Sequence, residues 1–196
     1  MASDQLWNRT IRVNKPVRLA TPRLQLRDFQ ASDVLALNQL YVLPETSRYE
    51  SWAPHESVDE SRDLVDYWIS RQGDSPRTDY TFAIDLDGRF IGLCGIELGF
   101  GTETDDLRAG FVGYRIYPSE WRRGYATEAL KAVLAFGFET LALHRIHSGC
   151  VVTNQASARV LEKAGLKREG VTRSSFPIDD AWYDYAIYGI LQSEWR

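Results

Sequence analysis

Two apolar runs, YTFAIDL (80–86) and FIGLCGIEL (90–98), are joined through Asp87-Gly88. That dipeptide tolerates the positive φ angles of a tight turn, so the runs pair as an antiparallel hairpin. Downstream, a strand of about residues 110–117 stops at Pro118. It is followed by a loop, a helical stripe (Ala126, Leu130, Val133, Leu134, Phe138) and a strand over 144–152. A hairpin followed by strand, loop, helix and strand predicts an α/β or α+β domain built on one sheet. Upstream, Leu24 and Leu26 alternate with Arg23, Gln25 and Arg27 as a half-buried strand. Ser32 is the expected N-cap of a helix carrying Val34, Leu35, Leu37 and Leu40, which ends at Pro44. Ser57-x-x-Glu60 is a capping box opening a helix over 57–71. Asn154 caps a short helix closed by Gly165, and strands near 166–172 and 182–191 bring the sheet to about seven.

The chain has 196 residues, enough for one domain that buries roughly 70% of its unfolded surface. Residues 1–20 lack a clear period and read as an N-terminal arm, with Trp7, Ile11 and Val13 available to dock; residues 21–196 read as one domain. Lys and Arg number 23 against 27 Asp and Glu, a net charge of −4, which is not the basic footprint of a nucleic-acid binder. No apolar run reaches signal-peptide or membrane-span length, so a cytoplasmic protein that does not enter membranes is expected. Cys94 and Cys150 lie in apolar runs without metal or redox spacing and are expected to be free, buried thiols. The acidic residues Glu103, Asp105 and Asp106 read as a solvated loop.

Chemistry concentrates in Pro118-Ser119-Glu120-Trp121-Arg122-Arg123-Gly124-Tyr125-Ala126-Thr127-Glu128-Ala129, between a strand and an amphipathic helix. Small residues at 124 and 126 let backbone approach a ligand. A helix start supplies unpaired N–H donors and about half a positive charge, which suits phosphate or pyrophosphate. Arg122 and Arg123 add cations and Thr127 a hydroxyl; otherwise Gly124 only permits a turn and the arginines are solvated. Neither a P-loop nor a dinucleotide fingerprint is present.

The run GYRIYPSEWRRGYATEAL, followed by NQASARVLEKAGLKREG, resembles the GNAT superfamily of acyl-coenzyme A dependent N-acetyltransferases, and most nearly its branch acting on ribosomal-protein N-termini. The likeness covers about residues 17–196, including LATPRLQLRDFQASD. It implies a mixed central sheet whose two parallel central strands splay apart, flanked by about four helices. It also implies acetyl-coenzyme A as cosubstrate, with no metal. The family's Gln/Arg-x-x-Gly-x-Gly/Ala falls on residues 121–126, with Trp121 at the first position. By resemblance, Arg122, Arg123, Gly124, Tyr125 and Ala126, with Thr127, cradle the pyrophosphate, and Tyr114, Arg115 and Ile116 lend main-chain groups to the pantetheine arm. Asn154 and Ser157 match Asn-x-x-Ser near the thioester. The tyrosine acid of many relatives is replaced by Leu161, leaving Ser157 to orient or protonate the leaving sulfur; Asn154 serves also as helix cap.

Acetyl transfer from a thioester to an amine needs a neutral amine, a donor for the developing oxyanion and an exit for the thiolate. The N–H groups of the 111–117 strand are the natural oxyanion donors. A protein α-amine has a pKa near 8, so about a tenth is neutral at pH 7; for lysine the fraction is below about a thousandth. Relatives place a Glu just before Gly113-Tyr114, where this chain has Gly110, Phe111 and Val112, so Glu97 is the substitute base, acting through water. His144 and His147 titrate in the useful range but equally fit structural roles. Trp52 and His55 belong to an aromatic, polar stretch that shapes the acceptor cleft by resemblance, and Tyr183 or Tyr185 lines its other side.

The reading is direct attack in a ternary complex, on a protein N-terminal amine or else a small amine such as a polyamine, aminoglycoside or amino acid. A silent acyl-coenzyme A binding module is the remaining class, motivated by Phe111 and Leu161. A monomer or homodimer is expected.

Overall fold

The computed structural model describes residues 13, 16–100 and 108–196; Trp7, Ile11 and the acidic loop residues Glu103, Asp105 and Asp106 lie outside the described residues. Along the chain run β1 (Arg18–Ala20), β2 (Leu24–Asp28), α1 (Val34–Tyr41), α2 (Pro44–Ser47), α3 (Val58–Arg71), β3 (Asp79–Leu86) and β4 (Arg89–Leu98). There follow β5 (Ala109–Ile116), α4 (Tyr125–Ala135), β6 (Arg145–Val151), α5 (Gln155–Ala164), β7 (Lys167–Ile178) and β8 (Ala181–Leu191). The strands form one mixed sheet in the order β1-β2-β3-β4-β5-β6-β8-β7, parallel only between β5 and β6.

The predicted hairpin is present: Asp87 at φ +51° and Gly88 at φ +77° join β3 to β4. The capping box is present too, with Ser57 Oγ accepting from Glu60 N–H at 3.4 Å and Glu60 Oε1 accepting from Ser57 N–H at 3.0 Å. Ser57→Ala should therefore cost about 1 kcal/mol, read as a lower urea midpoint at unchanged slope.

Four expectations are corrected. The arm is already sheet from Arg18, since β1 pairs with β2, and this edge strand makes the count eight rather than about seven; Val13 packs on the core, as expected of it. Ser32 does not cap α1. It lies in a 3-10 turn, where the longer reach of the Asp33 carboxylate lets it take the Gln30 N–H at 2.8 Å and Arg27 at 2.7 Å. Pro44 begins α2, its fixed φ suiting a first helical turn, rather than only ending α1. Leu35 is 67% exposed, off the buried face formed by Val34, Leu37 and Leu40.

Both faces of the sheet are covered. On one, α4 and α5 bury Leu130, Leu134, Ile96, Val112 and Ile146; on the other, α1 and α3 cover Phe29, Phe90 and Leu93 with Leu37, Leu40 and Val65. The β7–β8 hairpin is longer than expected and runs on past the end of β6, which stops at Val151 opposite Tyr185. Among the described residues, no helix is long and apolar enough to cross a membrane.

Candidate active site

The parallel ladder between β5 and β6 holds only three pairs, ending at Phe111↔His147, although both strands continue. Beyond that point the sheet is split. Hydrogen bonds from Gly99 N–H to Ala109 O and from Tyr117 N–H to Ile91 O mark the odd residues of β5 as those whose main chain faces β4. The even residues face the split. There the Val112 carbonyl accepts from Ser148 Oγ at 2.7 Å and the Ile116 carbonyl from Trp121 Nε1 at 2.7 Å. The N–H and C=O of Tyr114 and the N–H of Ile116 turn toward the opening, ready to pair with an amide-bearing ligand. Arg115 is a correction: it pairs with Leu93 and directs its main chain to β4, so only its side chain is left for a functional role.

At one end of the split the chain enters α4 through Arg122 at φ +63° and Gly124 at φ +84°. Gly124 is the N-cap, and the first intrahelical bond is Glu128 N–H to Gly124 O at 3.0 Å. The N–H groups of Tyr125, Ala126 and Thr127 head the helix without that partner, as a phosphate site requires. Arg122 and Arg123 are exposed beside them, Arg123 within 3.5 Å of Glu120. Arg23 was not foreseen. Its guanidinium donates to Arg123 O at 3.1 Å, pairs with Glu128 at 2.6 Å and lies 4.5 Å from the Tyr125 ring centre. Thr21 and Arg23 donate to the Glu128 carboxylate, and these bonds outweigh burial to hold it below the usual range. Trp121, the departure from the family pattern, anchors its exposed ring to the last open carbonyl of β5.

Asn154 caps α5, its Oδ1 accepting from Ser157 N–H at 3.1 Å. Ser157 Oγ lies 2.8 Å from the Tyr114 hydroxyl, which reaches across the split from β5. This phenol was missed; the alternation of β5 is the signal that turns Tyr114 toward α5. Burial raises the Tyr114 phenol well above its usual pKa, partly offset by Ser157, and also pushes the Cys150 thiol up. Leu161 is fully buried and takes no part. Cys94 and Cys150 are free and buried.

The opposite face of the split carries the remaining residues. Gly113 pairs with the buried Gly95, whose Cβ would stand 2.8 Å from Thr81, whereas a Cβ on Gly113 would meet nothing within 4 Å, which leaves an open floor at Gly113 alone. Glu97 is exposed two residues along β4, about 7 Å away by strand rise, in register with Phe111 and through it with His147. Shielding by neighbouring strands and then the Asp79 carboxylate raise the Glu97 carboxyl, and Arg71 partly opposes them. His147 is held to Phe100 O at 3.1 Å, and burial lowers its pKa. One wall is the segment 42–57. Trp52 stacks on Tyr41 with ring centres 5.0 Å apart, and His55 Nδ1 lies 2.7 Å from Ser61 Oγ. The other wall is β8, where Tyr185 lies against Gly149 and stacks on Phe176. Tyr183 shares that face but lies beyond the end of β6. Ser157 and Glu97 therefore occupy opposite faces, joined through the split.

A sheet split along one strand edge, with a helix start of unpaired N–H groups at the end of the split and an open groove behind it, is the arrangement of an acyl-coenzyme A transferase. The family model of the acetyltransferase (GNAT) domain matches residues 23–167, and the chain belongs to that family. It is similar to the uncharacterized N-acetyltransferase YnaD of Bacillus subtilis strain 168, 31% identical over 92% of this chain and 100% of the relative. To the [ribosomal protein uS5]-alanine N-acetyltransferase of Escherichia coli strain K12 it is 27% identical, over 94% of this chain and 96% of that one. Among solved structures, the GNAT-family acetyltransferase from Bacillus anthracis matches with TM-score 0.78 at 26% identity, over 91% and 100% of the two chains. Spermidine N-acetyltransferase from Vibrio cholerae, in complex with CoA and spermine, shares the fold with TM-score 0.75 at 24% identity, over 89% and 99%. The protein is an acetyl-coenzyme A dependent N-acetyltransferase. Among the described residues no group of three or more His, Cys, Asp or Glu is placed to hold a metal ion.

Proposed function

We propose that residues 17–196 act as one catalytic unit that acetylates the N-terminal α-amine of a protein, working by direct attack in a ternary complex in the cytoplasm. The observation that carries the reading is the open floor at Gly113, which is exposed and would leave an added side chain without a neighbour, between the 42–57 segment and β8. A groove of this kind accepts the extended end of a chain and lets its terminal nitrogen approach the split. Coenzyme on the α4 and α5 side then presents its thioester through the opening. The Tyr114 N–H is the donor for the developing oxyanion, which leaves the Tyr114 C=O and Ile116 N–H to the pantetheine arm, and Ser157, backed by the Tyr114 hydroxyl, stands where the leaving sulfur needs a proton. Glu97 is the carboxylate on the amine's side, reached through water. Likeness to the uS5-alanine acetyltransferase supports a protein acceptor, and the unbridged cysteines suit a reducing compartment.

A second reading, a polyamine acceptor, is favoured by the carboxylates of Glu50, Glu97 and Asp79 near the groove and by the fold shared with the spermidine enzyme. Thiol release from acetyl-coenzyme A against short peptides with free N-termini and against spermidine separates the two. Turnover with peptides alone supports the first, and turnover with spermidine alone replaces it.

A base must be ionised to act, so activity should rise with pH through the raised Glu97 pKa. Glu97→Gln should remove that acidic limb from the pH profile of kcat/KM; an unaltered limb assigns the base elsewhere. The same raised pKa means that the Glu97 contribution to stability is present at low pH and lost as pH rises through it. The variant should accordingly be no less stable than the parent at pH 7.

A further inference from the structure

We propose that Arg115 is a positioning residue that couples coenzyme binding at the open edge of β5 to the ordering of the acceptor wall, residues 42–57. Arg115 sits between Tyr114 and Ile116, whose main-chain groups face the split, while its side chain emerges on the opposite face. There the side chain is only 13% exposed. Nη2 donates to Glu50 Oε1 at 3.0 Å and Nε to Thr46 O at 3.3 Å. The guanidinium carbon lies 4.7 Å from the Tyr41 ring centre and 4.4 Å from that of Trp52. One side chain of β5 thus touches α1, α2 and the irregular stretch that follows.

That stretch has little of its own to hold it. Its backbone bonds include the turn from Glu50 N–H to Ser47 O at 2.8 Å and the bond from His55 N–H to Tyr41 O at 3.1 Å. Segments of this kind open at low free-energy cost, and so does a strand edge whose N–H and C=O groups lack partners. A ligand that pairs with Tyr114 and Ile116 fixes β5, and the guanidinium carries that restraint to the wall. Burial, then Cys150, then the Glu50 carboxylate raise the Tyr185 phenol to about 12, which places Glu50 within electrostatic reach of the far wall. Lysine cannot replace this contact, because it lacks the planar fork that donates twice while lying against aromatic rings.

Hydrogen exchange of the full chain, with and without coenzyme A, tests the coupling. In the wild type, coenzyme A should slow exchange in 112–116 and also in 42–57. In Arg115→Lys and Arg115→Met, calorimetry should give a coenzyme A Kd within about threefold of wild type, with protection of 112–116 kept and that of 42–57 lost. The acceptor KM should rise about tenfold, more than kcat falls. Protection of 42–57 that persists in both variants, or that is missing from the wild type with coenzyme bound, overturns the proposal. The kinetic arm rests on the acceptor reading above and the exchange arm does not, so a wrong acceptor leaves the exchange result intact.

Discussion

Gly124→Glu should weaken coenzyme A binding by about 100-fold or more in calorimetry, equivalent to about 2.7 kcal/mol. Three effects act together. The residue sits at φ +84°, where a side chain costs about 1–2 kcal/mol. Its Cβ would stand 3.4 Å from Arg23 Nη2, so the new carboxylate would draw Arg23 and its neighbours Arg122 and Arg123 away from a bound anion. It would also set a negative charge where the helix start otherwise attracts the pyrophosphate. Gly124→Ala isolates the backbone part and should lower stability by about 1–2 kcal/mol while changing affinity by less than tenfold. Full affinity in the glutamate variant would remove the coenzyme from this loop.

Ser157→Ala should lower kcat by about 100-fold, the low end of what a positioned proton donor contributes, with the coenzyme A Kd unchanged. The variant should fold, because the cap on α5 uses the Ser157 N–H and the Asn154 side chain rather than the hydroxyl. The Tyr114 hydroxyl also keeps its bond to Ser157 O at 3.1 Å. A wild-type kcat would end the role of Ser157. If Tyr114 supplies the proton to Ser157, then Tyr114→Phe should share most of the loss, and the double variant should be little worse than either single one.

Short-range features were legible in the chain. Asp87-Gly88, the Ser57–Glu60 box, the Gly124 turn, the Asn154 cap and the Gly165 stop each depend on φ preferences or a side chain reaching three residues along the backbone. The resemblance carried the splayed strands and the coenzyme. Where local reading failed, a distant partner had intervened. Asp33 displaced Ser32 because Arg27 also holds it, and β1 became an edge strand through pairing with β2.

By itself, then, the sequence determined the hairpin, the Ser57 and Asn154 caps and the glycine-arginine loop, because each is settled within a few residues of its own backbone. The tertiary structure alone decided that the β5–β6 ladder ends at Phe111↔His147, and that Tyr114 meets Ser157 across the gap. It alone turned Arg115 toward Glu50 in the 42–57 segment and brought Arg23 to the loop that enters α4. These contacts depend on strand register and helix docking between segments far apart in the chain. A shift of one residue exchanges which side chains face each side of a sheet.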